Sequence, residues 1–153
     1  MTDSKMSYAL EQGDFTRPAT GRPVVYARNG VISSGHYLTS MAGMRILLDG
    51  GNAFDALVAS TFAAAVVEPI ASYSLGAEST FMFFDAKSGD FKALSGQGTA
   101  AGKATPNYFT SKGYDAIPTG PGNGAPLSFT VPGVVAACLS LLSKYGTKSV
   151  GDV

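Results

Sequence analysis

The segment LLDGGNAFDALVAS, Leu47–Ser60, most constrains the fold because it sets a double glycine between two helix-forming stretches. Before the glycines, Leu38–Asp49 carries apolar residues at helical spacing, and Thr39 or Ser40 is a candidate cap at its start. Gly50 stands where helices commonly end in the left-handed conformation that glycine tolerates. The pattern predicts a helix that stops at a tight turn.

A second helix is predicted to follow the turn at once. Asn52 suits the N-cap position. Asp55 lies where a carboxylate can accept hydrogen bonds from free backbone amides and meet the positive end of the helix dipole. The helix runs from Ala53 to about Val67, and it is small or apolar on nearly every face, which favours burial on every face. It ends at Glu68, because the residue before Pro69 resists the helical conformation.

Two β-hairpins are predicted, one on each side of this helix pair. The first joins Val24–Arg28 to Val31–Ser34 through Asn29-Gly30, a dipeptide that favours hairpin turns, although one bulged strand would also fit. The second joins Thr80–Asp85 to Phe91–Leu94, and its continuous apolar first strand indicates cover on both faces. This arrangement favours a layered α+β domain over a βαβ Rossmann unit.

The remaining segments are less regular. Residues 1–23 are polar and interrupted by prolines, and they are predicted to form an extended arm. The proline- and glycine-rich segment 116–126 is predicted to be irregular, and Ser128–Val131 to be a short strand. Val134–Tyr145 is predicted to be a third helix, ended by Gly146. The terminal SVGDV resembles the start of another element, so the chain is expected to be an incomplete part of a larger fold.

Composition argues against several classes of partner. The 153 residues carry 11 basic and 11 acidic side chains without a basic run, which argues against nucleic-acid binding. The N-terminus lacks the basic and apolar regions of a secretory signal, and Ala56–Val67 is too short to span a bilayer. We therefore expect no membrane partner and a cytoplasmic location. Only 14% of the residues are charged, which indicates either a surface covered by other protein or an interior rich in small residues.

Most of the individual polar residues fit structural roles better than catalytic or metal-binding ones. Cys138 lies in an apolar run and is expected to be a buried thiol, and with a single histidine the sequence predicts no metal site and no cofactor. Asp55 fits a helix cap better than a catalytic carboxylate, and His36 fits a structural role better than a general base. Glu68 fits a turn, whereas Glu78 could approach a ligand or face solvent. The segment GTAAGKAT does not meet the spacing of a phosphate-binding loop, and the GxSxG nucleophile motif is absent.

Several sequence blocks occur in an order typical of one family. The block GVISSGHYLTSMAGMRILLDGGNAFDALVAS, Gly30–Ser60, comes first, followed by VVEP and by FMFFDAKSG, Phe81–Gly89. ATPNYF and FTVPGVVAACLSLLSKYG follow, with a Thr-Pro and a Val-Pro-Gly element. Together these blocks resemble the gamma-glutamyltransferase family of N-terminal-nucleophile hydrolases, and the resemblance spans residues 24–153.

The resemblance implies a four-layer αββα sandwich and a precursor that cleaves itself into a large and a small subunit. The new N-terminal Thr of the small subunit would be the nucleophile, with its own amine as the base, in hydrolysis or transfer of an acyl group from an amide. Residues 24–153 would be the N-terminal part of the large subunit, with no catalytic residue of their own. The implied partners are the rest of the large subunit, the small subunit and a small-molecule amide substrate.

The chain departs from the family pattern at its substrate contact. The family uses an Arg, in a Gly-Arg-Glu-Thr-Ala-Pro-like block, to grip the α-carboxylate of the glutamyl group. Ser95–Ala101 places Gln97 at the Arg position and Gly98 at the Glu position. A neutral amide cannot supply the charge-assisted grip of a guanidinium. The segment YSLGAESTF, Tyr73–Phe81, also replaces the family's glycine run.

Three hypotheses follow from these observations. The leading one is an amidohydrolase or acyltransferase of this family, whose substrate lacks the α-carboxylate and contacts Gln97. The second is a degenerate, non-catalytic family member that serves as a binding or assembly module, and the lost Arg motivates it. The third is an unrelated α+β domain whose glycine turns match the family blocks by coincidence.

Overall fold

The computed structural model describes residues 24–70 and 74–153, so the predicted arm, residues 1–23, lies outside the described residues. Residues 32–153 form one compact unit. The described residues that precede it, 24–31, form neither helix nor strand. The predicted hairpin across residues 24–34 is therefore wrong: Arg28 and Asn29 form a bend, without flanking strands. An Asn-Gly turn forms a stable hairpin only when the segments on both sides pair as strands and pack against further structure.

The first helix, α1, spans Tyr37–Leu48, and its cap lies before the two predicted residues. The His36 side chain is the N-cap, because its Nδ1 accepts a hydrogen bond from the Leu38 N–H at 3.2 Å. Thr39, one of the predicted caps, is instead buried inside the first turn. The predicted cap therefore lies three or four residues too late, whereas the predicted start at Leu38 is one residue from Tyr37, because sequence patterns locate element boundaries poorly.

The end of α1 confirms the predicted glycine turn. Gly50 has φ +78°, a left-handed conformation, and its N–H donates to the Leu47 carbonyl at 3.2 Å. The Gly51 N–H donates to the Ile46 carbonyl at 2.9 Å. These two bonds form a complete Schellman motif, which satisfies the last carbonyls of the helix and turns the chain sharply.

The second helix, α2, spans Ala53–Val67 and packs along α1. Close approach of the two helices depends on Gly43, where a Cβ would overlap the Ser60 hydroxyl and would lie 2.5 Å from Ile32 Cδ1. The Glu68 backbone ends α2, and its N–H donates to the Ala64 carbonyl at 2.9 Å. Both predicted ends of this helix are confirmed.

A two-stranded antiparallel sheet follows, with β1 at Ser79–Asp85 and β2 at Asp90–Gly96. The register pairs Ser79 with Gly96 and Asp85 with Asp90, which confirms the second predicted hairpin. One face of β1 packs inward through Phe81. Its other face is exposed within this chain, since Met82 is 82% accessible, so the expected cover on both faces is not formed by the described residues.

The rest of the chain adds three helical segments: a short helix α3 at Pro106–Ser111, a 3-10 turn at Ala125–Ser128, and α4 at Val134–Tyr145. Helix α3 is absent from the elements predicted from the sequence. The predicted strand at Ser128–Val131 is reduced to a single bridge, between Thr130 and Ala100. The third predicted helix is confirmed as α4.

The main core lies between α2, β1 and α4. Three aromatic rings join these elements, with Phe54 5.2 Å from Phe83 and 5.1 Å from Tyr145 between ring centroids. The fold is an α+β arrangement of helices around a small antiparallel sheet, as predicted. No helix within the described ranges has both the length and the hydropathy to cross a membrane. The buried residues of the core are Val58, Phe81, Val134, Ala137, Cys138, Leu141 and Leu142.

Candidate functional site

Gln97, the predicted substrate contact, lies on the exposed loop that directly follows β2. Its N–H donates a long hydrogen bond, 3.4 Å, to the Ser95 hydroxyl. An amide side chain presents both a donor and an acceptor, so at this position it can bind a neutral polar group.

Gly98 brings this loop into direct backbone contact with a segment that lies more than thirty residues later in the sequence. A Cβ at Gly98 would overlap the Val131 carbonyl oxygen and would lie 2.9 Å from the Val131 carbonyl carbon. The Val131 N–H donates to the Thr99 carbonyl at 2.9 Å, and Ala100 bridges Thr130. Any side chain at position 98 must therefore displace this pairing.

Gly96 and Gly133 fix the other end of the loop. A Cβ at Gly133 would overlap the Gly96 carbonyl oxygen and would lie 3.3 Å from the Gln97 carbonyl carbon. A Cβ at Gly96 would lie 2.6 Å from the Ala137 Cβ. The start of α4 thus packs backbone to backbone against the end of β2, and Gln97 is held between two glycines that cannot be enlarged in place.

The carbonyl of Ala77 also holds the start of α4 in place. It accepts hydrogen bonds from the N–H groups of Gly133, at 3.2 Å, and Val134, at 3.1 Å. Two of the free amides at the start of α4 are thereby satisfied without a side-chain cap. Glycines at positions 96, 98 and 133 indicate close backbone contact. The sequence does not identify Ala77 as the partner of Gly133 and Val134, because it lies more than fifty residues earlier in the chain.

A cavity of about 490 Å³ opens beside the helix pair and the start of β1. Glu68 and Glu78 both line it, whereas Gln97 does not. Within the described part of the chain, three buried hydroxyls near this region have no hydrogen-bond partner: Thr39 Oγ1, Ser60 Oγ and Ser79 Oγ. The structure therefore brings the two glutamates to one cavity and leaves the predicted substrate contact outside it.

Asp55 is a structural carboxylate, and the predicted capping box is present. Its Oδ2 accepts from the Asn52 N–H at 2.8 Å, and Asn52 Oδ1 accepts from the Asp55 N–H at 3.1 Å. Its carboxylate also accepts from the Thr147 N–H at 2.8 Å, the Thr147 hydroxyl at 2.7 Å and the Lys148 N–H at 3.1 Å. The side chain is fully buried, so it has no access to a substrate.

The hydrogen bonds also set the charge of this carboxylate. Burial alone would raise the pKa of Asp55, but the hydrogen bonds from Asn52, Thr147 and Lys148 outweigh it and hold the pKa below its usual value. Asp55 is therefore ionised at neutral pH and ties the start of α2 to the segment after α4. The sequence predicts the contacts of Asp55 with Asn52 but not those with Thr147 and Lys148.

The other candidates also have structural roles. His36 caps α1 and stacks on Tyr37, with 4.6 Å between ring centroids. Cys138 is fully buried, and burial raises the pKa of its thiol to about 11. No cluster of three or more His, Cys, Asp or Glu side chains that could hold a metal ion occurs among residues 24–70 and 74–153.

Most of the chain matches one known protein family. The family profile described as Gamma-glutamyltranspeptidase matches residues 39–153. The glutathione hydrolase-like YwrD proenzyme of Bacillus subtilis is 39% identical over 123 residues, which cover 80% of this chain and 22% of that protein. The chain therefore spans under a quarter of that relative's length.

Two solved structures share the fold. Cephalosporin acylase from Bacillus halodurans gives a TM-score of 0.76 at 34% identity, covering 87% of this chain and 24% of that one. Helicobacter pylori gamma-glutamyltranspeptidase gives a TM-score of 0.69 at 36% identity, covering 83% of this chain and 36% of that one. Their folds belong to the N-terminal-nucleophile hydrolase class, in agreement with the predicted fold class.

Proposed function

The chain belongs to the gamma-glutamyltranspeptidase family, and we propose that it is the N-terminal part of the large subunit of an amide-bond hydrolase or acyltransferase. Residues 24–153 contribute scaffold and one substrate contact. The nucleophile is a Thr on polypeptide outside this chain, exposed when a precursor cleaves itself. The word proenzyme in the relative's name supports such processing.

The proposed reaction passes through an acyl-enzyme. The Thr hydroxyl attacks the amide carbonyl, its proton passes to the Thr amine, and the leaving amine takes that proton as the C–N bond breaks. Water then hydrolyses the ester, or a second amine takes the acyl group. No step uses a side chain of this chain as acid, base or nucleophile, so this chain alone is expected to be inactive.

We propose that the acyl group lacks the α-carboxylate of a standard gamma-glutamyl substrate. One observation carries this proposal: the residue at the family's Arg position is the neutral, exposed Gln97. A guanidinium pairs with a carboxylate through two parallel hydrogen bonds and an opposite charge, whereas the Gln97 amide supplies neither the fork nor the charge, so a carboxylate gains less here. The similarity to a protein named a cephalosporin acylase supports acyl groups other than glutamyl.

Steady-state kinetics of the full-length, processed protein test this assignment. Gln97→Ala should change kcat/KM or the order of preference among amide substrates while the fold stays intact, because only an exposed side chain is removed. Gly102→Ala is the matched control, since its added Cβ meets nothing within 4 Å. An unchanged kcat/KM for every substrate in the Gln97→Ala variant would reject the contact.

The neutral Gln97 also motivates a second candidate, a degenerate member that serves as a binding or assembly module. Intact mass spectrometry of the full-length product separates the two. Cleavage immediately before a Thr supports the enzyme, whereas an uncut precursor without such a Thr supports the module. The cytoplasmic location and the pairing of a large with a small subunit belong to the same proposal, and cell fractionation with purification under native conditions tests them.

A further inference from the structure

Glu68 and Glu78 bring two carboxylates to the cavity beside the helix pair. The Glu68 carboxylate lies against the segment before α1, where a Cβ at Gly35 would be 3.4 Å from Glu68 Oε1. Neither glutamate forms an ion pair with any residue that the structure describes. The lysine and arginine side chains within residues 24–70 and 74–153 all lie outside the cavity lining. The cavity therefore presents two negative charges that the described residues do not neutralise.

Buried hydroxyls in the wall of the same cavity also lack hydrogen-bond partners among the described residues. Thr39 and Ser60, which line it, are only 4% and 9% exposed, and the hydroxyl oxygens of both are unpaired. Ser79, at the start of β1, adds a third such hydroxyl. An unpaired buried polar group costs free energy, and a partner that enters the cavity with several hydrogen-bond donors recovers part of that cost.

Exposed apolar side chains lie within a few positions of each glutamate. Val66 and Ile70 flank the first glutamate along the chain, and Leu75 and Met82 flank the second. None of the four lines the cavity, so a small molecule bound inside it would leave them in water. Apolar groups exposed together favour cover by another polypeptide surface, and such cover would also remove water from the two carboxylates.

We infer that this surface is covered by polypeptide that follows residue 153, and that an arginine of that polypeptide enters the cavity and pairs with Glu68 and Glu78. The inference rests on the proposed function, which supplies the further polypeptide, since the chain spans 22% of the YwrD proenzyme of Bacillus subtilis. A carboxylate that loses its water without gaining a counter-charge strongly destabilises a complex. Cover of this cavity therefore requires a cation.

An arginine suits the cavity better than a metal ion. Its guanidinium carries several N–H donors and no acceptor, so it can serve two carboxylates and a hydroxyl at once. Its aliphatic stem can pack on the apolar part of the wall, to which Leu57, Phe81 and Val134 contribute. A cavity of about 490 Å³ is far larger than the first coordination shell of a metal ion needs.

Site-specific photo-cross-linking of the full-length protein identifies the covering polypeptide. Thr80 is exposed and lines the cavity, so p-benzoylphenylalanine placed there reports what lies against it. The same amino acid at Asp115, which is exposed and does not line the cavity, is the control. We expect Thr80 to cross-link to a peptide that follows residue 153 and contains an arginine. A link to residues 1–23, a link between two copies, or no link above the Asp115 level would overturn the inference.

A double-mutant cycle then tests the ion pair. Glu78→Gln keeps the shape of the side chain and removes its charge, and replacement of the cross-linked arginine by glutamine removes the cation. Each change should raise the unfolding equilibrium constant of the full-length protein in urea by about tenfold or more, the effect of one charge-assisted hydrogen bond. The two together should raise it no further than the arginine replacement alone, because the pair is already lost. Asp115→Asn is the matched control and should leave the constant within about twofold.

Glu68→Gln repeats the cycle from the other carboxylate, with the same expected result. If the fold-changes of a glutamate and the arginine replacement multiply in the double variant, the two residues act independently and the pairing is rejected. Should the glutamine variants not accumulate as folded protein, the cross-link from Thr80 still decides, because it leaves both glutamates in place.

The outcome for the proposed function is read separately, from self-cleavage before a Thr and from turnover of an amide. A processed, active enzyme without the Thr80 cross-link rejects this inference alone. An uncut, inactive protein that shows both the cross-link and the coupling rejects the proposed reaction and leaves the arginine contact standing.

Discussion

Asp55→Asn tests the carboxylate that joins the start of α2 to the segment after α4. Asparagine has nearly the same shape, so the change replaces one oxygen by an amide NH₂ and removes the charge. In either orientation the new NH₂ faces a backbone donor: Asn52 N–H on one side, or Thr147 N–H on the other. A buried donor then loses its acceptor, and the other contacts lose their charge assistance.

The magnitude follows from these contacts. An unsatisfied buried donor costs about 1–3 kcal/mol, and a hydrogen bond to a charged acceptor is stronger than a neutral one by about 1 kcal/mol. The carboxylate accepts its bonds at 2.7–3.1 Å inside a fully buried site. We expect Asp55→Asn to lower the free energy of unfolding by about 3 kcal/mol near neutral pH.

The dependence on pH gives a second signature. The folded pKa of Asp55 lies below its unfolded value, so the carboxylate stabilises the fold fully above the unfolded pKa. That contribution is lost as the pH falls through the folded pKa. The stability difference between the native protein and Asp55→Asn should therefore be constant from about pH 5 to 8 and shrink below about pH 4.

Urea denaturation of the full-length protein and the variant at several pH values measures both effects. Asp115→Asn is the matched control, because Asp115 is exposed and its side chain forms no hydrogen bond with any residue that the structure describes. Surface changes of this kind stay within about 0.5 kcal/mol. A penalty for Asp55→Asn no larger than this control, or one that grows as the pH falls, would refute the reasoning.

Three further predictions concern other sites. Lys92→Met should raise the pKa of Asp85 from about 2 towards its usual value, because the Lys92 hydrogen bond is the main cause of the depression; carboxyl ¹³C NMR titration measures this, and an unmoved pKa contradicts it. Cys138 should resist alkylation by iodoacetamide at about pH 8 in the native protein and react after unfolding, since burial raises the pKa of its thiol to about 11. Gly43→Ala should destabilise the protein by about 1–3 kcal/mol, because its methyl overlaps the Ser60 hydroxyl; a denaturation midpoint equal to that of the native protein excludes the tight helix contact.

Local features were readable from the sequence because their causes lie within a few residues. Gly50 needs only its own left-handed φ and the carbonyls of the preceding turn, and the Asn52–Asp55 box closes within one helical turn. The hairpin from Ser79 to Gly96 likewise depends on a short turn between apolar strands. These elements were placed to within about two residues.

The failures share a different cause. The Asn29-Gly30 dipeptide predicts a hairpin, but a turn signal carries no information about whether the flanking segments will pair as strands. His36 caps α1 because its imidazole nitrogen accepts a hydrogen bond from the Leu38 N–H. N-cap prediction favours Ser, Thr, Asp and Asn, so it does not select a histidine. The contact of Gly98 with Val131 joins distant segments, so spacing could suggest a close approach but could not name the partner.

The same distance has a consequence for synthesis. Asp55 and Thr147 are separated by 92 residues, so α1, the glycine turn and α2 leave the ribosome long before the second set of donors exists. Until then, the oxygen that later accepts from Thr147 and Lys148 can be satisfied only by water. The complete Asp55 cap can therefore form only after Thr147 and Lys148 have been synthesised, and the start of α2 depends on a segment made long after it.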